Sequence, residues 1–346
     1  MKVLVTGSSG LIGSQCVEFF IEKGYDVIGV DNDMRAYFFG AGSSTSEMTK
    51  ILESKYKKYK CHNVDIRDFD GMKVIFEKYK DEIELIVHTA AQPSHDWAAK
   101  EPMTDFSINA LGTMNLLELF RLNCPKASFI FTSTNKVYGD RPNKLDLIEL
   151  EDRYEHFWNG APSSISESMS IDNCVHSVFG ASKVAADIMV QEYGKYFNLN
   201  TVVFRGGCLT GPNHQGAELH GFLSYLVKCI LNDKEYTIYG YKGKQVRDNI
   251  HSWDLVNMFW RYHQKPTKGE VYNAGGGREN SISIIEAINK INQKANKKWK
   301  RFSISGTNRV GDHIWYISDL SKFKSHYPGW DIKISLDEII TSMVKL

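Results

Sequence analysis

The chain lacks a strong excess of charge of either sign. Its 42 Lys and Arg residues nearly balance 41 Asp and Glu residues, so the net charge is +1 over 346 residues. Nucleic acids and anionic membrane surfaces are bound through basic patches, and a balanced composition argues against both partners. We therefore predict no nucleic-acid or membrane partner and expect the ligand to be a small molecule.

Paired cysteines and long apolar runs are also missing. None of the six cysteines forms a Cys-x-x-Cys pair, which argues against a metal site or a disulfide framework and fits a reducing cytoplasm. No apolar run is long enough to span a bilayer, and because the N-terminus enters a predicted strand at once, we expect no signal peptide. The cysteines are Cys16, Cys61, Cys124, Cys174, Cys208 and Cys229.

A glycine-rich turn follows the first apolar segment. Residues 3–5 predict a buried parallel strand, and a helical pattern follows Gly13. Gly7 allows the tight turn, Gly10 lets backbone amides approach a pyrophosphate, and Gly13 lets the helix lie close to the sheet. The start of the helix presents amides and a positive dipole end to phosphates. The predicted phosphate contacts are Gly7, Gly10, Leu11, Ile12 and Gly13. A glycine-rich turn without a ligand is the alternative.

An acidic residue ends the second predicted strand, Asp26–Val30. The carboxylate of Asp31 is placed to accept hydrogen bonds from adenosine ribose hydroxyls, and it would repel a 2′-phosphate. This position predicts NAD rather than NADP as the cofactor, with the nearby Arg35 as the one residue that favours NADP.

Strand and helix patterns alternate along the chain, with no internal repeat. We predict an α/β fold with a Rossmann-type doubly wound parallel sheet and a smaller mixed α/β substrate domain from the C-terminal half. The predicted coenzyme domain covers residues 1–204, with 248–275 returning to it, and the substrate domain covers 205–247 and 276–346. Residues 35–58 look like a loop with one helical turn. Residues 141–177 look irregular, as lids and binding segments often are.

Further coenzyme contacts are predicted where strands end. Asp65 is interpreted in two ways, as a partner of the adenine amino group or as the cap of a helix starting near Phe69. Asn109, early in a helix over 106–122, either contacts the coenzyme or steadies the neighbouring strand. The additional predicted contacts are Asn32, Asp65, Ile66, Ala90, Ala91, Gln92, Asn109 and Thr132.

Hydroxyl side chains accumulate at the end of the strand Ser128–Thr134, which runs into Asn135–Asp140. Ligands of open parallel sheets lie beyond the carboxyl ends of the strands, so chemistry is expected here. A hydroxyl-rich turn without a catalytic role is the alternative.

These features together resemble the extended short-chain dehydrogenase/reductase family, and within it the nucleotide-sugar epimerases and dehydratases. The resemblance covers nearly the whole chain and includes Gly7-x-x-Gly10-x-x-Gly13, Asp31, Asp65, Val137-Tyr138-Gly139, Lys183, Arg247-Asp248 and Arg309-x-Gly311-Asp312. It implies transient oxidation of a sugar carbon by NAD and return of the hydrogen to the other face. Ser133–Asp140 and Gly243–Asp248 are most similar to the subgroup that epimerises CDP-linked hexoses at carbon 2, which favours a CDP-hexose as the nucleotide-diphosphate sugar.

The resemblance also implies roles for single residues. Thr134 matches the Ser/Thr that hydrogen-bonds the reacting oxygen, and Lys183 matches the lysine that binds the nicotinamide ribose and lowers the pKa of the base. Arg247 would hold the diphosphate; the alternative is a surface ion pair with Asp248. The implied substrate contacts are Thr134, Asn135, Lys136, Arg205, His220, Arg247, Arg309 and Asp312. Because the helices around 106–122 and 183–197 commonly pair two subunits in this family, we expect a homodimer.

One departure concerns the family signature Tyr-x-x-x-Lys, which is Phe179-x-x-x-Lys183 here. A phenyl ring cannot carry the proton that the tyrosine normally takes. Three explanations stay open: another group is the base, the tyrosine has been replaced in this chain, or the chain binds a nucleotide sugar without turning it over. The candidate bases are His176, Cys174, Tyr138 and His95, and His176 has a suitable ordinary pKa.

Competing activities are separated by the residues after Thr134. The family's 4,6-dehydratases carry Asp-Glu there, and Asn135 and Lys136 cannot replace that acid–base pair. A 4-epimerase or a reductase stays open, although a reductase needs NADPH and Asp31 argues against it. From a different class, a non-catalytic nucleotide-sugar or NAD-binding protein is the alternative that Phe179 favours.

Overall fold

The computed structural model describes residues 1–211, 221–307 and 311–345. The strands are β1 (Lys2–Thr6), β2 (Asp26–Val30), β3 (Tyr59–His62), β4 (Ile83–His88), β5 (Ser128–Thr134), β6 (Leu147–Glu149), β7 (Tyr154–Trp158), β8 (Ala161–Pro162), β9 (Asn200–Gly206), β10 (Cys208–Thr210), β11 (Tyr236–Tyr239), β12 (Val246–His251), β13 (Glu270–Ala274), β14 (Ser281–Ser283), β15 (Phe302–Ser305) and β16 (Trp315–Tyr316).

The helices follow in the same chain order. They are α1 (Leu11–Glu22), α2 (Met34–Phe39), α3 (Ser46–Lys55), α4 (Phe69–Tyr79), α5 (His95–Lys100), α6 (Pro102–Phe106), α7 (Gly112–Asn123), α8 (Ser177–Tyr196), α9 (Phe222–Leu231), α10 (Ser252–Gln264), α11 (Ile284–Lys294), α12 (Ser321–His326) and α13 (Leu336–Val344). A π-helical turn over Ser107–Leu111 joins α6 to α7.

A seven-stranded sheet with the order β3-β2-β1-β4-β5-β9-β13 confirms the predicted Rossmann-type fold. The pairs β2–β3, β1–β2, β1–β4 and β4–β5 are parallel. Val3, Leu4 and Val5 of β1 are completely buried, as an apolar run in a parallel strand covered on both faces should be. The strand order reverses between β1 and β4, and ligands of such sheets bind at this switch point.

The chain divides into two compact units. Unit 1 comprises residues 1–134, 178–205 and 256–272, and unit 2 comprises 135–177, 206–255 and 273–346. The predicted domain boundaries differ from this division mainly in residues 135–177, which belong to unit 2 although the sequence placed them in the coenzyme domain. These residues pair with other parts of unit 2, for example where the Tyr154 amide donates to the Lys244 carbonyl at 2.9 Å.

Two segments predicted as largely irregular contain regular structure. Residues 35–58 hold most of α2 and all of α3. They were missed because α2 has only six residues and buries none of them, while Leu52 is the one buried side chain of α3, so neither helix has a buried apolar stripe. Residues 141–177 hold β6, β7 and β8, which form a small antiparallel sheet. Strands of two to five residues carry too little alternation to be detected in a sequence.

Unit 2 has its own core. Its central sheet has the order β10-β12-β14, with β16 also paired to β12, and β11 pairs with β15. The helices α9, α11 and α13 bury a shared apolar cluster that includes Leu226, Ile288 and Ile340. Ser283 and Ser335 each form a capping box with a glutamate three residues on, which stabilises the starts of α11 and α13.

Among the described residues, no helix combines the length and apolar character that crossing a membrane requires. All six cysteines are free thiols.

Candidate active site

Each of the three glycines in the turn after β1 is required, or left free of a side chain, for a different physical reason. Gly7 has a φ of +67°, and a methyl group there would lie 2.8 Å from the Ala90 amide nitrogen. A methyl group at Gly13 would overlap the Gly7 carbonyl, so α1 packs directly on the turn. Gly10 has an ordinary φ of −76°, and a methyl group there would meet only the Gly7 oxygen, at 3.4 Å. Neither backbone strain nor internal packing requires glycine at position 10, so its missing side chain leaves room above the turn.

That room faces the start of α1. The first amides of an α-helix have no partner within the helix, and Gly10 at the N-cap supplies no side-chain hydrogen bond to them. The turn therefore offers unfilled donors, a positive dipole end and free space, which together fit a dinucleotide diphosphate. A nicotinamide dinucleotide bound there would supply an acceptor for a hydrogen together with its electron pair.

Asp31 lies one residue beyond β2. Its carboxylate accepts hydrogen bonds from the amides of Ser9 and Asp33 and from the Thr45 hydroxyl, each at 3.0 Å. The bond from Ser9 ties the carboxylate to the glycine turn, where an adenosine ribose would reach it. Arg35 packs over the Phe39 ring at 5.0 Å from its centroid.

Asp65 lies in the connection from β3 to α4. It accepts from Arg67, with a shortest distance of 2.7 Å, and from the Asn32 side-chain amide at 3.0 Å. Burial raises the pKa of Asp65, but the hydrogen bonds and charge of Arg67 outweigh burial and lower that pKa overall. The alternative in which Asp65 caps α4 is wrong, because the cap is Asp68, whose side chain accepts from the Gly71 amide at 3.0 Å. The adenine contact of Asp65 stays a prediction.

A buried hydrogen-bond network, which we call the Gln92 network, follows β4. The Gln92 side chain donates to the Ser94 carbonyl at 2.8 Å and to Asp105 at 2.7 Å. Asn109, in the π-helical turn, accepts from the Gln92 amide at 3.0 Å and donates to Ser182 of α8 at 3.1 Å. These bonds support the alternative in which Asn109 steadies its neighbours, and a coenzyme contact by Gln92 or Asn109 stays a prediction.

Asp105 belongs to the Gln92 network and was missed by the sequence analysis. It is completely buried, and burial raises its pKa. Its position four residues before Asn109, on the same face of a helix, is the signal that could have identified it.

The hydroxyls at the end of β5 point in two directions, as alternation along a strand requires. Thr132 and Thr134 are half-buried on one side, whereas Ser133 is buried on the other and donates to Asp187 at 2.7 Å. Arg205 forms a two-pronged pair with the same carboxylate, with its Nε and one terminal nitrogen at 3.0 and 2.9 Å. We therefore correct the substrate contact predicted for Arg205: its guanidinium is buried in this ion pair and has a structural role.

Lys183 of α8 is 3% exposed and donates to the Thr132 carbonyl at 2.8 Å. Its ammonium group also lies 4.1 Å from the centroid of the Phe131 ring. Burial lowers the pKa of Lys183 to about 7, and the negative charges of Asp187 and Asp105 only partly oppose that shift. The structure thus brings Lys183 to the end of β5, where Thr134 lies.

Phe179 lies one helical turn before Lys183 and is buried. Its ring meets the His95 ring edge to face, with the centroids 4.9 Å apart and the planes at 62°. His95 is the first residue of α5 and is half-buried.

The other three candidate bases lie in unit 2 and are engaged there. The Tyr138 hydroxyl is buried and donates to Asn273 at 2.7 Å, so its ring packs at the turn. His176 Nε2 lies 2.9 Å from the Val137 carbonyl oxygen and therefore donates to it. The Cys174 thiol donates to the Ile171 carbonyl at 3.3 Å, and burial raises its pKa.

Unit 2 contains a cluster of three charged side chains, Lys136, Arg247 and Asp312, which we call the unit 2 charge cluster. Asp312 accepts from Arg247 at 2.7 Å and from Lys136 at 3.3 Å. Burial raises the pKa of Asp312, but the two positive charges outweigh burial and hold that pKa far below its ordinary value. Burial lowers the pKa of Lys136. The cluster carries one more positive than negative group, which suits an anion such as a diphosphate.

Asp248 is not the partner of Arg247, so the predicted alternative of a surface ion pair between them is wrong. Successive residues of β12 point to opposite faces, and Asp248 is completely buried on the other face. There it accepts from the amides of Gly277 and Ser318, each at 3.0 Å. Burial raises its pKa.

The remaining predicted site residues are placed as follows. Ala90 lies against Gly7, and the Ile66 side chain is buried beneath Gly112. Asn135 is buried at the start of unit 2. His220 and Arg309 lie outside the described residues.

A doubly wound sheet with this glycine turn and acidic residue defines a dinucleotide-binding protein. The sequence model of the NAD dependent epimerase/dehydratase family matches residues 3–275, and the chain belongs to that family. NAD is therefore the cofactor, and the activities of the family are epimerisation and dehydration.

Relatives match over the whole chain. CDP-paratose 2-epimerase of Salmonella typhi is 30% identical over 350 residues, which cover 99% of this chain and 98% of that protein. The crystal structure of UDP-glucose 4-epimerase from Thermotoga maritima with UDP-glucose is 26% identical, with a TM-score of 0.78 over 100% of this chain and 98% of that one. UDP-glucuronic acid 4-epimerase from Bacillus cereus, solved with UDP-glucuronic acid and NAD, has a TM-score of 0.79 at 23% identity, over 100% of this chain and 98% of that one.

Proposed function

We propose that this chain is an epimerase of a nucleoside-diphosphate hexose that works by transient oxidation with NAD. The observation that carries the proposal is the pair of residues after Thr134. Asn135 is an amide, and Lys136 is an ammonium group bound to Asp312 at 3.3 Å, so no carboxyl pair is available there to remove water from a sugar. Oxidation without elimination leaves epimerisation as the reaction of this family that the residues support.

The residues of unit 1 would carry the oxidation. Thr134 would hydrogen-bond the reacting sugar oxygen, and Lys183 would hold the nicotinamide ribose while its charge stabilises a developing alkoxide. The two side chains meet at the end of β5: Thr134 is the last residue of that strand, and Lys183 reaches it from α8 and donates to the Thr132 carbonyl at 2.8 Å.

The unit 2 charge cluster would bind the nucleotide diphosphate through Arg247 and Lys136. Phosphate oxygens are suited to the planar fork of a guanidinium group. A CDP-hexose is favoured because the likeness at Ser133–Asp140 and the 30% identical relative named CDP-paratose 2-epimerase agree. A UDP-hexose 4-epimerase is the second candidate, supported by the UDP-glucose 4-epimerase fold at 26% identity.

The test is incubation of the purified protein with separate CDP-, UDP- and dTDP-hexoses in deuterated buffer, with the sugar protons followed by NMR. We expect a new stereoisomer with one CDP-hexose. Loss of the 6-hydroxyl with formation of a keto-sugar would instead establish dehydration. Tight NAD with every sugar unchanged would overturn the proposal and favour the non-catalytic alternative that Phe179 suggests.

We also propose that the chain forms a homodimer. The segment leading through α7 and the helix α8 leave large apolar side chains exposed, including Leu111, Leu122, Ile188 and Tyr196 at 53%, 59%, 41% and 80% exposure. These side chains lie on the two segments that the family resemblance implies for subunit pairing, and large exposed apolar patches mark protein interfaces. Sedimentation analysis should give a dimer that Leu122→Glu weakens, and a wild-type monomer at micromolar concentration would contradict this.

A further inference from the structure

We propose that His95 is the general base that takes the place of the tyrosine absent at position 179. This inference rests on the proposed epimerase function. It starts from the direct contact between the two rings, whose centroids are 4.9 Å apart. The imidazole thus lies against the ring of residue 179, the residue that carries the proton acceptor in the family signature.

The position of His95 is fixed relative to α8 through the Gln92 network. Ser94, the residue before His95, caps α5 by accepting from the Trp97 amide at 3.3 Å, and its own carbonyl accepts from the Gln92 side chain at 2.8 Å. The Gln92 amide donates to Asn109. The loop that carries His95 is therefore attached to a buried helical turn.

Asn109 completes the connection to the catalytic turn of α8. Its side-chain amide donates to Ser182 at 3.1 Å, and Ser182 in turn donates to the Phe179 carbonyl at 3.0 Å. Ser182 directly precedes Lys183. This chain of bonds holds His95 in register with Phe179 and Lys183, which is the preorganisation that a proton acceptor requires. Gln92 and Asn109 are positioning residues in this scheme.

The chemistry of the side chain fits the task. An imidazole has an ordinary pKa near 6.5 and accepts a proton at neutral pH, which a phenyl ring cannot do. In the forward step the sugar hydroxyl gives its proton to an imidazole nitrogen of His95. The C–O bond would become a carbonyl as the carbon gives up its hydrogen together with the electron pair of the C–H bond, for which NAD would be the acceptor. In the return step the same hydrogen is delivered to the opposite face, and the imidazolium gives its proton back to the oxygen.

The three other candidates lie in unit 2. Tyr138 donates to a buried amide, His176 donates to a backbone carbonyl, and the pKa of Cys174 is raised by burial. His95 is the candidate that shares unit 1 with Lys183 and Phe179.

The experiment compares four proteins: wild type, His95→Asn, Phe179→Tyr, and the double variant. The substitution His263→Asn, at a half-buried histidine of α10 whose ring packs 6.0 Å from that of Tyr25, is the matched control. Turnover of the sugar identified by the NMR panel, bound NAD content and circular dichroism are measured for each. We expect His95→Asn to lose at least about 100-fold in turnover with normal NAD content, which is the usual scale for removing a general base. The double variant should turn the sugar over at least about tenfold faster than His95→Asn does, because Phe179→Tyr supplies a phenol in place of the lost imidazole. The turnover of His263→Asn should stay within about twofold of wild type.

The outcomes separate this proposal from the proposed function. If wild type turns over a sugar and His95→Asn does so within about threefold, His95 is not the base. A loss that Phe179→Tyr does not recover would assign His95 a merely structural role and also overturn the proposal. If wild type converts no sugar at all, the proposed function fails and His95 loses its role with it. Should His95→Asn fold poorly by circular dichroism, His95→Gln with the same Phe179→Tyr rescue decides the question.

Discussion

Unit 1 and unit 2 hold their polar residues by different means. In unit 1 the candidate site consists mainly of backbone groups, hydroxyls and amides attached to strand ends, with Lys183 as one buried ammonium group. In unit 2 the charge cluster joins residues far apart in the chain: Arg247 lies 65 residues and Lys136 lies 176 residues from Asp312. At the candidate site, unit 1 therefore relies mainly on close packing and hydrogen bonds, with the buried Arg205–Asp187 ion pair behind the strand end, whereas the unit 2 charge cluster relies on compensation among three charged groups.

The largest expected effect tests the buried ammonium group of Lys183 in unit 1. Lys183→Met should lower turnover about a thousandfold, or about 4 kcal/mol, because the proposed ribose contact and the proposed stabilising charge beside the alkoxide would both be lost. Stability should change little, since a methionine replaces an ammonium group whose burial already lowers its pKa to about 7. Steady-state kinetics, bound NAD content and thermal unfolding measure the three effects.

Lys195→Met is the matched control, because Lys195 lies on the same helix and its ammonium group is exposed. Full activity of Lys183→Met would refute the role proposed for Lys183.

The next effect concerns the charge cluster of unit 2. Asp312→Asn should lower the free energy of unfolding by about 3 kcal/mol at pH 7, because two buried cations lose their counter-charge. Chemical denaturation measures this value. Asp331→Asn, at an exposed aspartate paired with Lys324 at 2.8 Å, should change the same free energy by less than about 0.5 kcal/mol.

The difference in unfolding free energy between wild type and Asp312→Asn should also depend on pH. The pKa of Asp312 is lower in the folded than in the unfolded chain, where it is near 3.8. Its contribution is therefore complete above about pH 5 and is lost as the pH falls through and below 3.8. The difference in unfolding free energy between wild type and Asp312→Asn should shrink on acidification. A constant difference from pH 7 to pH 3 would contradict the charge-compensation account of unit 2.

A smaller effect tests the packing of unit 1. Gly13→Ala should cost about 2 kcal/mol and reduce NAD content, because the added methyl group overlaps the Gly7 carbonyl and forces α1 away from the turn. Gly42→Ala is the control, since a methyl group there meets nothing within 4 Å. Equal stability and NAD content in both variants would show that close packing at this turn is not required.

The smallest expected effect tests Asp68 as the cap of α4. Asp68→Ala should destabilise the protein by about 1 kcal/mol because the Gly71 amide loses its acceptor at 3.0 Å. Asp70→Ala, in the first turn of the same helix but without the capping bond, should cost about 0.3 kcal/mol. Thermal unfolding of both variants decides whether the local cap in unit 1 has the predicted value.

The sequence by itself determined the elements whose signals are local. The strands β2 and β5 were predicted with the bounds that the structure has, Asp26–Val30 and Ser128–Thr134. The glycine turn, Asp31 and the position of Lys183 were also read directly, because each requirement acts within a few residues of the chain. The family and its cofactor follow from the same motifs.

Only the tertiary structure decided which polar side chains pair with other groups of the same chain and which are left to bind a ligand. Arg205 and Arg247 look alike in the sequence, yet one is buried against Asp187 and the other belongs to the unit 2 charge cluster with Asp312. The Gln92 network and the contact of His95 with Phe179 likewise depend on segments distant in sequence. The physical reason is that a hydrogen bond or ion pair is decided by which groups are buried together, and burial is a property of the folded chain that no local pattern contains.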